Sequence, residues 1–369
     1  TAGTAVSVGA GYNAFSQDRI EGRGAGPNAA LTLSGAATVV DRSFINNPNG
    51  DGLTIGSANN TTIRLSTVTT SGSGRNALYV NSASSVTIDR SYAYSASGSA
   101  IYLDSAASYS TVTLSTAIAG SSGNPALNLV GSRLAVDRSF INNPLGDAIY
   151  VTAAARFILI DRSTATSAGN GNSALSILGS SVTATGSYFA NPAGYAARLQ
   201  SGSAFSTISQ STMASSNTGN PALSLLGSSS NTISQSWIIN PTGNAAYLNT
   251  GSNYNTISQS TITNTDAFYS ALTILASSSN TILDSYVQGS AAALISGSTG
   301  TVIGGTAFVA TASNYSALRL YGGSVSLSLT TSTFKGGSTV AGVLLDAGNS
   351  GFIALTSNTI TGGRWGVSI

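Results

Sequence analysis

The sequence predicts an all-β fold, a single-stranded parallel β-helix (β-solenoid) of about 15 rungs of about 24 residues. Three observations carry this expectation. Short β-branched segments recur at a near-constant spacing, as in AFSTISQSTMAS, SSNTISQSWIIN and NYNTISQSTITN. Within each segment apolar and polar residues alternate with period two, the signature of a strand with one buried face. The gaps are filled with Gly, Ser, Asn and Pro, which are turn formers.

The repeated core is aliphatic-x-x-Ser-x-aliphatic. Its first apolar column runs Phe15, Val40, Ile63, Ile88, Val112, Val136, Ile160, Ala184, Ile208, Ile233, Ile257, Ile282, Ile303, Leu329 and Leu355. Three residues on stands a column of small hydroxyls: Ser43, Ser66, Ser91, Ser115, Ser139, Ser163, Ser187, Ser211, Ser236, Ser260 and Ser285, with Asp18, Thr306, Ser332 and Asn358 at the two ends. A second apolar column follows two residues later. Each core is preceded by an aliphatic-x-aliphatic motif such as Leu127-Asn128-Leu129. No single rung could bury such columns, but stacked rungs make each column a continuous internal row. The Ser column at a bend is a structural ladder, since a small hydroxyl there reaches the next rung or the backbone left free at the corner. Rungs one strand spacing apart give a rod of about 70 Å.

A second period lies on the first. The aliphatic-x-aliphatic motifs begin at 31, 53, 78, 101, 127, 149, 175, 197, 223, 246 and 272, so short and long steps alternate and the true repeat is two rungs, about 48 residues. The residue after the Ser column alternates in step. It is Phe44, Tyr92, Phe140, Tyr188, Trp237 and Tyr286 on every second rung, and Thr on the rungs between. An outward position there makes these six an aromatic ladder with members roughly 10 Å apart. Four of the six rungs continue into an Asn-Pro return loop (FINNPNGDG, FINNPLGDA, YFANPAGYA, WIINPTGNA). Either each ring folds over its own loop, or the rings form an exposed stripe that binds a neighbouring copy or a glycan. Tyr79, Tyr102, Tyr150, Arg198, Tyr247 and Arg319 occupy another outward column and read as scattered surface positions.

Composition narrows function. Only 7% of residues are charged and the net charge is +2, which provides no basic face for nucleic acid. With no Cys and no His, disulfides, thiol catalysis, Cys/His zinc sites and Ser-His-Asp triads are excluded. No apolar run is long enough to span a membrane, and no cofactor fingerprint is present. Asp41-Arg42, Asp89-Arg90, Asp137-Arg138 and Asp161-Arg162 recur at one bend. Asp137 and Asp161 fall on adjacent rungs, at a separation that suits a retaining glycosidase, yet their recurrence beside Arg favours a charge-balanced ladder. A Thr array suited to ice is interrupted by the aromatics.

The SSSNTISQSWIIN and SSSNTILDSYVQG units resemble the right-handed parallel β-helix repeats of secreted and surface bacterial proteins, the pectate-lyase-like solenoids and large repetitive surface proteins. The resemblance covers nearly the whole chain and implies handedness and an extracellular or cell-surface place. It is compatible with lyases, hydrolases, tailspikes and adhesins alike. Uniform rungs, low charge, the lack of a visible cap and the lack of one-off catalytic clusters led to one expectation. The chain would be a single domain over residues 1–369, a non-catalytic building block of an extracellular filament or giant surface protein, assembling end to end with copies of itself and holding no cofactor. The alternative is a glycan-binding, adhesive module that uses the aromatic ladder.

Overall fold

A computed structural model describes residues 4–23, 28–324 and 326–369. The chain is an all-β parallel solenoid of about 15 turns of roughly 24 residues. No helix occurs among the described residues, and so none long and apolar enough to cross a membrane. Residue contacts group the chain into two compact units, Thr1–Phe189 and Ala190–Ile369. Each unit is a solenoid in its own right.

Every rung contributes one strand to each of three parallel sheets. In one rung of the first unit these strands are Leu127–Leu129, Ala135–Asp137 and Phe140–Asn143. Register is residue-for-residue. In the second sheet of the first unit, Ile88, Val112, Val136 and Ile160 lie in line; in that of the second unit, Ile208, Ile233, Ile257 and Ile282 do so. All eight are buried, as are the Leu/Ile/Val pairs of the first sheet. The predicted apolar columns are therefore the core, a stack that only neighbouring rungs can close.

The bend from second to third sheet is made by a single left-handed residue per rung, among them Arg42, Leu65, Arg90, Leu114, Arg138 and Arg162 in the first unit and Gln210, Gln235, Gln259 and Asp284 in the second. Its amide still bonds to the next rung, as Arg138 N–H does to the Asp161 carbonyl at 2.9 Å. The following Ser points inward. Its amide donates to the hydroxyl of the Ser one rung on, from Ser43 to Ser66 at 3.1 Å and onward through Ser91, Ser115, Ser139 and Ser163 to Ser187 at 3.1 Å. In the second unit the same chain runs from Ser211 through Ser236 and Ser260 to Ser285. Each hydroxyl in turn donates to the carbonyl two residues back, as Ser139 does to Asp137 at 2.9 Å. The bond is thus amide to hydroxyl, which satisfies a donor the sharp bend would otherwise leave buried and bare.

The Asn-Pro loops are held by their own Asn. Asn143 is fully buried, and its side-chain amide donates to the carbonyls of Ser121, Asn124 and Asp147 at 2.9, 2.8 and 3.1 Å. Asn240 repeats this with Asn217, Asn220 and Asn244. The loop interior is filled by an amide.

Candidate functional site

The outward residues of the third sheet in the first unit run Arg19, Phe44, Thr67, Tyr92, Thr116, Phe140 and Thr164 in register, with Tyr188 opening the next strand of that sheet. Each stands between an inward Ser and an inward apolar residue, so period-two alternation leaves it no direction but out. Phe140 is 40% exposed and Tyr188 43%. Tyr92 is similarly open; burial of its remaining surface, and then the nearby Tyr94, push its phenol above the usual value. Phe44 is half-buried under the Arg19 guanidinium, 5.1 Å from its ring centre. Aromatics alternate with Thr, so consecutive rings lie about 10 Å apart. In the second unit Thr212, Trp237, Thr261 and Tyr286 repeat the pattern, with Trp237 51% exposed.

On the first sheet of the first unit a different surface forms. Tyr79, Tyr102, Asn128, Tyr150 and Ser176 are outward neighbours in register. Tyr79 and Tyr102 meet edge to face at 5.2 Å, and burial, followed by the charge of Asp104, raises the Tyr79 phenol above its usual value. Beside them opens a polar cleft of about 370 Å³ lined by Asn124, Asn128, Asp147, Tyr150 and Asn172, with the 122–125 loop at its rim. The Asn128 side-chain amide oxygen is shut off from solvent and has no hydrogen-bond partner among the described residues. Sequence reasoning placed Tyr79, Tyr102 and Tyr150 as scattered positions and did not single out Asp147. Their convergence could have been found from Asp147 and Tyr150 standing three apart on one rung, next to Asn128 on the rung before.

The Asp-Arg corners do not offer free carboxylates. Asp41 is held by Arg42 and Arg64, both at 3.0 Å. Asp89 is held by Arg90 at 3.0 Å. Asp137 is held by Arg138 at 2.8 Å and Arg162 at 3.5 Å, and Asp161 by Arg162 at 2.7 Å. Each acid sits at the end of a second-sheet strand with its Arg at the left-handed bend, so the pairs run along one edge of the stack. Among the described residues no three acidic side chains gather as a metal site would require.

Comparison with known proteins places the fold. Residues 126–285 match the family model of the right-handed β-helix region. No curated protein matches the sequence. Among solved structures, the A-module of the mannuronan C-5 epimerase AlgE4 of Azotobacter vinelandii is similar at 13% identity, with a TM-score of 0.47, over 97% of this chain and 91% of that one. A mutant tailspike of E. coli bacteriophage HK620, in complex with a hexasaccharide, is similar at 10% identity and a TM-score of 0.49, over 95% and 71%. PfbA, a surface adhesin of Streptococcus pneumoniae, is similar at 12% identity and a TM-score of 0.42, over 84% and 71%. At these identities the likeness is one of fold. It corrects two expectations drawn from the sequence, the filament building block and the absence of catalysis. The solved structures with this architecture include an epimerase, a saccharide-bound tailspike and an adhesin. Fold alone does not fix function, and neither filament building nor a lack of enzymatic activity follows from the regular rungs.

Proposed function

We propose that the chain is a glycan-binding module acting outside the cytoplasm, with the aromatic ladder of the first unit as its binding face. The observation that carries this is the row of Tyr92, Phe140 and Tyr188, exposed on alternate rungs with Thr between them. Flat rings at a spacing of about 10 Å offer stacking faces to successive stretches of an extended saccharide, and the Thr hydroxyls between them offer hydrogen bonds. A contiguous row of exposed rings is the kind of surface that marks an interaction site. The test is retention on a panel of immobilised neutral and acidic polysaccharides. Phe140→Thr/Tyr188→Thr, which copies the residue found on the alternate rungs, should lose retention while keeping the wild-type denaturation midpoint. Equal retention of the two proteins would reject the ladder as the binding face.

A second function, action on the bound glycan, is favoured by the first-sheet cleft. Asp147 and Tyr150 are its titratable groups, and Asn124, Asn128 and Asn172 give it amides suited to sugar hydroxyls. Here the measurement is release of new chain ends from the polysaccharides that the protein retains. Asp147→Asn should abolish it, and activity surviving in that variant would remove the cleft from consideration.

A further inference from the structure

The bend from first to second sheet also uses one left-handed residue per rung, and on some rungs that residue is a large aromatic. Tyr12, Tyr109 and Phe157 hold the position in the first unit, Phe205 and Tyr254 in the second, all at φ between 55° and 60°. On the neighbouring rungs the same position is Ser181, Ser230 or Ser279. A bulky side chain is poorly suited to this backbone region, and strain of this kind collects at functional sites. Burial does not compensate for it, because Phe205 is 70% exposed and Tyr254 66%. Neither conformation nor packing accounts for these rings, and a Ser would serve the turn as well.

What lies beside them in the second unit is a face of hydroxyls. Thr207, Thr232 and Thr256 form one outward column of the second sheet, and Ser209, Ser234 and Ser258 the next, in unbroken register. From residue 199 to residue 265 the chain contains no Asp, Glu, Lys or Arg. The matching bend of the first unit differs, since Arg133 stands between the rings there, 5.2 Å from the centre of Tyr109 and 5.8 Å from that of Phe157.

We propose that Phe205 and Tyr254, with the Thr-x-Ser face beside them, form a second binding track, specific for a neutral polysaccharide. This goes beyond the ladder of the first unit and rests on the glycan reading for the class of ligand only. Two rings on one edge, two rungs apart and so about 10 Å from each other, stack on the apolar faces of sugar rings. The hydroxyl columns pair with sugar hydroxyls as both donors and acceptors. A uronate would find no counter-ion on this face and would lose hydration without recompense.

The experiment is affinity electrophoresis of the full chain in gels containing xylan or hydroxyethyl cellulose as neutral probes, and polygalacturonate as the acidic one. Phe205→Ser/Tyr254→Ser copies the residue found on the intervening rungs and should keep the denaturation midpoint at or above that of the wild type. It should weaken retardation by the neutral probes at least tenfold and leave any retardation by polygalacturonate unchanged. Thr232→Lys, placed in the middle of the hydroxyl face, should weaken neutral retardation as well. The proposal is overturned if the double variant is retarded by neutral probes as strongly as the wild type. Retardation by polygalacturonate alone overturns it too and leaves the ladder reading standing. Loss of neutral retardation in Phe140→Thr/Tyr188→Thr but not in Phe205→Ser/Tyr254→Ser would assign the binding to the ladder instead. If neither neutral probe retards the wild type, this track is rejected.

Discussion

The amide of Ser115 donates to the hydroxyl of Ser139, one rung on, at 3.1 Å. Both residues are buried, and the bend that precedes each of them takes the amide out of the ordinary strand ladder. Ser139→Ala removes the acceptor and leaves a buried N–H unsatisfied, which costs about 1–3 kcal/mol. Ser139→Thr should cost less, because Thr306 fills the same column and accepts from the Ser285 amide at 3.3 Å. Urea unfolding of the two variants checks the order; equal losses would show that packing, not the hydroxyl, sets the effect.

The Asn-Pro loops make a sharper prediction. Asn143→Ala removes one amide from three carbonyls and a carbonyl that accepts from Leu145 N–H at 3.2 Å. The loss should be roughly 2–4 kcal/mol. Pro144→Ala acts mainly by loosening the unfolded chain and should cost less than about 1 kcal/mol. A larger loss for the Pro variant would contradict the assignment of the loop to its Asn.

Asp51 is buried, and that burial raises its carboxyl above the ordinary 3.8, against the opposing pull of the Asn76 amide and the Arg75 charge. The sign follows from linkage. A carboxyl with a higher pKa folded than unfolded holds its proton more tightly when folded, so stability falls as pH rises from the unfolded value through the folded one. At neutral pH the protein carries this cost in full. Asp51→Asn keeps an oxygen for the Asn76 amide, 2.8 Å from the carboxylate in the wild type. It should melt higher than the wild type at pH 7 and show little difference near pH 3. The same gap at both pH values would refute the role given to burial.

The outward rings should matter little for folding. Phe140→Thr and Tyr188→Thr each restore the residue of the alternate rungs and should stay within about 0.5 kcal/mol of the wild type. Losses well beyond that, read from denaturant midpoints, would mean that the rings serve the rung edge.

Most of the fold was legible because a solenoid writes its contacts into its period. Val112 sits on Ile88 and under Val136, and each is found by counting about 24 residues along the chain. The outward placement of Phe140 followed from alternation alone. What the sequence concealed lies across the rungs rather than along them. Asn143 reads as a turn former, yet its amide ties three carbonyls from two rungs. Tyr150 reads as a scattered surface residue until the register sets Asn128 beside it. The rings of Phe205 and Tyr254 also recur at about two rungs, but they sit at a bend where no apolar period points to them. The first-sheet cleft is lined by residues of three successive rungs, Asn128, Tyr150 and Asn172 among them, which no local pattern brings together.

The central claim is that the rings of the first unit bind as a ladder, and calorimetric titration with the polysaccharide the protein retains tests it most directly. Phe140→Thr and Tyr188→Thr should each weaken binding by about 2–12-fold, from roughly 0.5–1.5 kcal/mol of stacking per ring, and the double variant by about the product of the two. An affinity unchanged in the double variant, with its fold intact, would contradict the account.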